Sequence, residues 1–215
     1  MLHYELVKGL LETGACPSNA QLAESLGFGA EELERQLRDL ADLHGLVLHP
    51  HVCEPWVVHP FSLTPTLNWV QGPRHGWWAP CVWCAFGIAA LVDGEASIHT
   101  RLAGEDRAIV IHGEEDLWVH FAIPPAQAWQ NVHQHCAMVL PFATRDEIPA
   151  WCARHRLPLG EAVPLAQVKT MAKLWYGNHA RLDWKKWTVA EAQQIFEQAG
   201  LRSHFWDLGV RSGRF

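Results

Sequence analysis

An α+β fold is expected from this sequence. Helical periodicity and capping signals gather towards both ends, strand-like segments fill the middle, and no internal repeat divides the chain. With 215 residues, 49% hydrophobic and 19% charged, there is material for a packed core and no sign of a disordered chain.

The first fifty residues read as a helical module. Leu2, Leu6, Leu10 and Leu11 mark one face of a helix over 2–12. Ser18-Asn19-Ala20-Gln21 has the capping-box pattern, in which the first and fourth side chains each accept the other's backbone N–H, and predicts a short helix stopping at Gly27. A longer helix should run from Ala30 to Leu43, with Leu33, Leu37 and Leu40 inward and Gly45 closing it. A short strand at 46–49 completes a winged-helix-like outline over residues 1–50. Its eight acidic side chains against three basic ones oppose nucleic-acid binding, and the longer helix opens Ala30-Glu31-Glu32-Leu33-Glu34, which repels phosphate. The module reads as structural, or as a surface for a homodimer.

Residues 51–215 should form an α+β core of short mixed or antiparallel strands with flanking helices. Pro, Gly, Trp and His dominate 50–78, which reads as irregular chain with short strands. Pro80 suits the first position of a helix over 80–92. Strand character follows at 96–101, 108–112 and 117–123, with Glu114-Glu115-Asp116 as a turn between the last two. That turn would place His112 and His120 on neighbouring strands, where both read as ordinary histidines. A strand at 138–142 carries Pro141 at its edge. Thr144-Arg145-Asp146-Glu147 predicts a helix towards His155, with Pro149 blurring its first turn, and Thr188-Val189-Ala190-Glu191 one ending at Gly200. Trp175, Tyr176, Trp184, Trp187, Phe205 and Trp206, interleaved with Lys and Arg, read as an aromatic wall with solvated cations outside it, able to shield a thiol site from water and accommodate an organic group.

No apolar run reaches the roughly 18–20 residues of a membrane span. The first residues lack the regions of a secretory signal, and a net charge of −6 argues against a nucleic-acid or anionic-membrane partner. A cytoplasmic protein with its six cysteines reduced is the expectation.

The chemistry concentrates in Pro80-Cys81-Val82-Trp83-Cys84-Ala85. A helix opening at Pro80 places Cys81 in its first turn and Cys84 one turn on, on the same side, near the positive end of the helix dipole that favours thiolate. A second thiol stands in Cys136-Ala137-Met138-Val139-Leu140-Pro141-Phe142-Ala143-Thr144. Cys16, Cys53 and Cys152 have no partner motif and read as packing or surface thiols.

Trp83-Cys84-Ala85 with its apolar helix, the stretch from Cys136 to Thr144, and Leu63-Thr64-Pro65-Thr66 upstream together resemble the alkylmercury lyase family. The resemblance covers about residues 15–206, with identity confined to short patches. It implies that Cys84 and Cys136 are the catalytic thiols, cleaving a carbon–mercury bond by thiolate capture and protonolysis. No organic cofactor is implied; mercury is substrate and product, and cellular thiols would carry Hg(II) away. The best-known members place an aspartate three residues after the first thiol, and some relatives a serine; here that position is Gly87. A displaced thiol, Cys81, His133 or His135 is then the candidate proton source.

Other readings stay open. Cys84 and Cys136 could serve another soft-metal or thiol-dependent reaction on the same fold. Alternatively, Cys81, Cys84, His135 and Cys136 could hold zinc or copper in a non-catalytic metal-binding or sensing protein. If 133–136 is extended, His135 and Cys136 point to opposite faces, and using both needs a bulge or turn.

Overall fold

The structure, a computed structural model, describes residues 1–92, 95–128 and 132–209. Helix α1 (Leu2–Thr13) buries Leu2, Leu6, Val7 and Leu10. In α2 (Asn19–Leu26) both halves of the capping box form, Gln21 N–H donating to Ser18 Oγ at 3.3 Å and Ser18 N–H to Gln21 Oε1 at 2.9 Å. Gly27 then takes the left-handed conformation that stops the helix, φ 68°. Helix α3 (Ala30–Asp42) buries Leu33, Leu37 and Leu40. Its exposed side pairs Arg35 with Glu32 and Asp39, and Arg38 with Glu34. The turn after α3 differs from expectation: His44, at φ 55°, takes the left-handed position, and Gly45 donates its N–H to Leu40 O at 2.8 Å.

Strands β1 (Val47–Leu48), β2 (Pro55–Val58), β3 (Phe61–Ser62), β4 (Asn68–Gln71), β5 (Gly76–Ala79), β6 (Ser97–Arg101) and β7 (Ala108–Ile111) form one sheet in the order β1-β2-β3-β5-β4-β6-β7. The Trp-rich segment thus supplies four short strands, cross-linked by pairs such as Trp69 opposite Trp78, whose rings meet edge to face at 4.8 Å. Strands β8 (Trp118–Phe121), β9 (Leu140–Phe142) and β10 (Glu161–Pro164) form a second sheet in the order β10-β8-β9. Every pairing among the described residues is antiparallel.

β7 and β8 therefore lie in different sheets, and residues 114–116 do not close a hairpin. Glu115 instead accepts the N–H groups of His112 and Gly113 at 2.7 and 2.8 Å, while Gly113 at φ 98° redirects the chain. His112 is exposed; His120 is buried against Leu159 O, at 2.9 Å, and the Cys152 thiol, at 3.6 Å. Pro141 sits on the edge strand β9, opposite Val119, at the kind of sheet position where proline is tolerated.

The remaining helices are α4 (Val82–Leu91), α5 (Pro125–Ala128), α6 (Val132–Ala137), α7 (Glu147–His155), α8 (Leu165–Tyr176) and α9 (Val189–Gln198). Residues Val82 to Ile88 of α4 are all buried; a helix apolar on every side belongs in the interior, and α4 packs along α8. Pro80 lies before the cap of α4 rather than in its first turn, because Cys81 is the N-cap. α7 begins after Asp146 without a side-chain cap, so Thr144 does not start it. α9 has the full capping box expected of Thr188 and Glu191. α8 follows directly on β10 from Pro164, with no side-chain cap to announce it.

One core runs through Leu6, Leu37, Val58, Phe61, Ile88, Val168 and Phe196, so the N-terminal helices and the rest share it. A smaller cluster gathers Phe142, Ile148, Trp151 and Cys152 beneath α7. Each fully buried aliphatic or aromatic side chain is worth roughly 1.5–3 kcal/mol. Among the described residues, no helix is long and apolar enough to cross a membrane.

Candidate active site

Cys81 and Cys84 occupy the N-cap and first turn of α4. Cys81 Sγ accepts the Cys84 N–H at 3.4 Å, the bond a serine or aspartate makes at this position. Cys136 comes from α6. Although 52 or more residues separate it from the other two, the three sulfurs lie within 4.8 Å of one another, all buried. Among the described residues this is the one cluster of potential metal ligands, and it contains no histidine or carboxylate.

His135 stands outside it. Residues 133–136 are helical, not extended, and neighbours one residue apart on a helix point about 100° from each other. The ring of His135 is buried, tilted against Phe121 at 6.3 Å, with no hydrogen bond to either nitrogen, and burial lowers its pKa to about 4. His133 is exposed beside Trp56, which removes it as a proton source at the thiols. A tetrahedral set of Cys81, Cys84, His135 and Cys136 is thus not assembled.

The thiols divide one negative charge unequally. Burial opposes ionisation of Cys84, but hydrogen bonds from Cys136 and Cys81, with the neighbouring His59, outweigh it and hold its pKa well below the ordinary value. Cys81 is pushed well up, first by burial and then by the charge on Cys84. Cys136 is pushed well up chiefly by its hydrogen bonds to Cys81 and Cys84, with burial adding. Of the three sulfurs, Cys84 is the one most disposed to ionise, and its two neighbours are held towards the thiol form.

Two further side chains complete the surroundings, and neither carries a local sequence signal. His59, half-buried, favours the Cys84 thiolate by a side-chain hydrogen bond. Tyr176, at the end of α8, places its hydroxyl 3.3 Å from Cys84 Sγ, 92 residues away in sequence. Gly87 makes this approach possible: a β-carbon there would overlap Tyr176 Cδ2 and lie 2.7 Å from Cε2. The ring is held by Trp83 at 6.0 Å and His179 at 4.9 Å.

A cavity of about 40 Å³ opens onto the site, lined by Trp83, Cys136, Trp175, Tyr176, His179 and Trp184 among others. Cys136 and Tyr176 line it directly, and Cys84 lies behind them, 3.3 Å from the Tyr176 hydroxyl. The aromatic wall fills the space near the thiols instead of leaving room for a bulky group. Lys186, expected among the solvated cations, turns its amine onto His44 O at 3.1 Å and also lines the cavity.

Three thiols converging beside a small apolar cavity in an α+β frame make a donor set that suits a soft metal ion. The chain belongs to the alkylmercury lyase family: the model of that family, MerB, matches residues 61–177, more than half of the chain and inclusive of Cys81, Cys84, Cys136 and Tyr176. Its fold is similar to a solved structure titled the mercury-bound form of MerB2, at a TM-score of 0.63 and 15% identity, covering 83% of this chain and 88% of that one. No curated protein matches it in sequence.

Proposed function

We propose that this family member is an organomercurial lyase-like enzyme, with Cys84 and Cys136 as its catalytic thiols. The observation that carries the reading is the convergence of the three sulfurs within 4.8 Å. Mercury is soft and prefers thiolate to oxygen or nitrogen ligands. The Cys84 thiolate displaces the leaving anion of R–Hg–X and forms R–Hg–S. Cys136 then closes onto the metal, raising electron density on it. The carbon–mercury bond breaks with its electron pair on carbon, carbon takes a proton and leaves as R–H, and Hg(II) stays on two sulfurs. The proton Cys136 gives up equals the one carbon gains, so no external acid is consumed. Exchange with two cellular thiols removes Hg(II) and restores the protein thiols.

A second reading has its own support. Cys81, the third sulfur, suits retention of a soft ion, and a protein that binds without cleaving would use the same cluster. Single-turnover mixing of an alkylmercury compound with wild type, Cys84→Ser and Cys136→Ser separates the two. The lyase reading requires hydrocarbon release by wild type that each substitution abolishes. Stoichiometric binding without hydrocarbon supports retention and overturns the lyase.

A further inference from the structure

We propose that Tyr176 delivers the proton to the leaving carbon, from the space that Gly87 leaves open. This rests on the lyase reading and gives the Cys136 proton its route to carbon.

Three observations converge on it. Tyr176 Oη lies 3.3 Å from Cys84 Sγ, the atom to which R–Hg binds. A side chain at Gly87, one turn along α4 from Cys84 and on the same face, would occupy the volume the tyrosine ring fills. Tyr176 also lines the cavity through which an organic group reaches the thiols, whereas Cys84 does not. The phenol therefore both borders the cavity and touches the sulfur that would carry R–Hg. Ring contacts with Trp83 and His179 fix its orientation, which a proton donor needs. Among the described residues no carboxylate belongs to the cluster.

The step balances. As the carbon–mercury bond breaks, its electron pair takes the phenol proton and R–H departs. In the same step the phenolate oxygen takes the proton that Cys136 gives up as it closes onto the metal. Tyr176 ends as it began, and the net reaction is that of the two thiols.

The test is Tyr176→Phe, which keeps the ring packed against Gly87 and removes only the hydroxyl. Methylmercury chloride is mixed in single turnover with wild type and variant, following capture by loss of free thiol and release as methane. Capture is expected to stay within about twofold, while methane release falls by about a hundredfold or more, the usual contribution of a positioned acid. Gly87→Ala, which drives a β-carbon into the ring, is expected to slow release in the same selective way. Methane release by Tyr176→Phe at the wild-type rate overturns the role of Tyr176 and leaves the lyase reading standing. Equal slowing of capture and release assigns Tyr176 to shaping the site and also overturns it. Capture without methane in wild type overturns the lyase reading itself.

Discussion

Gly87 and Tyr176 occupy one volume between α4 and α8: a β-carbon on Gly87 would stand 2.8 Å from Tyr176 Cγ and 2.7 Å from Cε2, closer than carbon atoms pack. Glycine inside a helix loses about 1 kcal/mol relative to alanine, and here the loss is offset by the helix–helix contact it permits. Gly87→Ala is accordingly expected to destabilise by roughly 1–3 kcal/mol through overpacking, despite alanine's better helix propensity. In a Tyr176→Ala background, where the ring is gone, the same substitution should be neutral or stabilising. Urea midpoints of the four proteins give the coupling, and additive effects would contradict the shared volume.

The cavity beside Cys136 measures about 40 Å³, against the roughly 150 Å³ of an engineered cavity that holds benzene. Methylmercury should therefore be cleaved in preference to phenylmercury. Trp184→Ala, which opens one wall, should narrow the difference. Rates of hydrocarbon release for the two compounds, by wild type and variant, check both parts.

Cys81 has two separable tasks, capping α4 and supplying a third sulfur. Cys81→Ser keeps an N-cap acceptor and should leave the melting temperature nearly unchanged, whereas Cys81→Ala should destabilise by about 1 kcal/mol. Both should give up Hg(II) more readily to a competing dithiol. If Cys81→Ser retains Hg(II) as wild type does, Cys81 is a cap and not a ligand.

His3 and His179 link the two ends of the chain to pH. His3 stacks on Trp184 at 3.6 Å and meets His179 at 5.4 Å. Burial, then Lys186, the N-terminus and His59, lower the His3 pKa to about 3; burial, then His3, Lys186 and His59, hold His179 well below its ordinary value. A pKa lowered in the folded state means the unfolded chain binds protons first. The stability these neutral rings confer is complete above pH 6.5 and is lost as pH falls from 6.5 towards 3, by up to a few kcal/mol for His3. His3→Phe keeps the stacked ring and should flatten the decline of the urea midpoint between pH 6.5 and 5. An unchanged slope would contradict this origin.

Features written in short stretches were legible beforehand. The Ser18–Gln21 and Thr188–Glu191 boxes each bond a side chain to backbone three residues away, so four residues carry the whole signal. Cys84 and Cys136 stood out through their flanking residues, and the family match spans both. What failed depended on distant partners. β7 and β8 joined different sheets because Glu115 and Gly113 redirect the chain between them. Residues 133–136 proved helical, yet His135 stays outside the cluster that Cys136 joins. Gly87 read as a missing group, because the tyrosine that fills its place comes from α8, a helix without a side-chain cap.

Intact-protein mass spectrometry after mixing wild type with one equivalent of methylmercury tests the account most directly. The expected product is protein carrying bare Hg(II), with two protons lost and no methyl group, formed as the methylmercury adduct decays. A methylmercury adduct that persists unchanged would contradict cleavage at the three thiols.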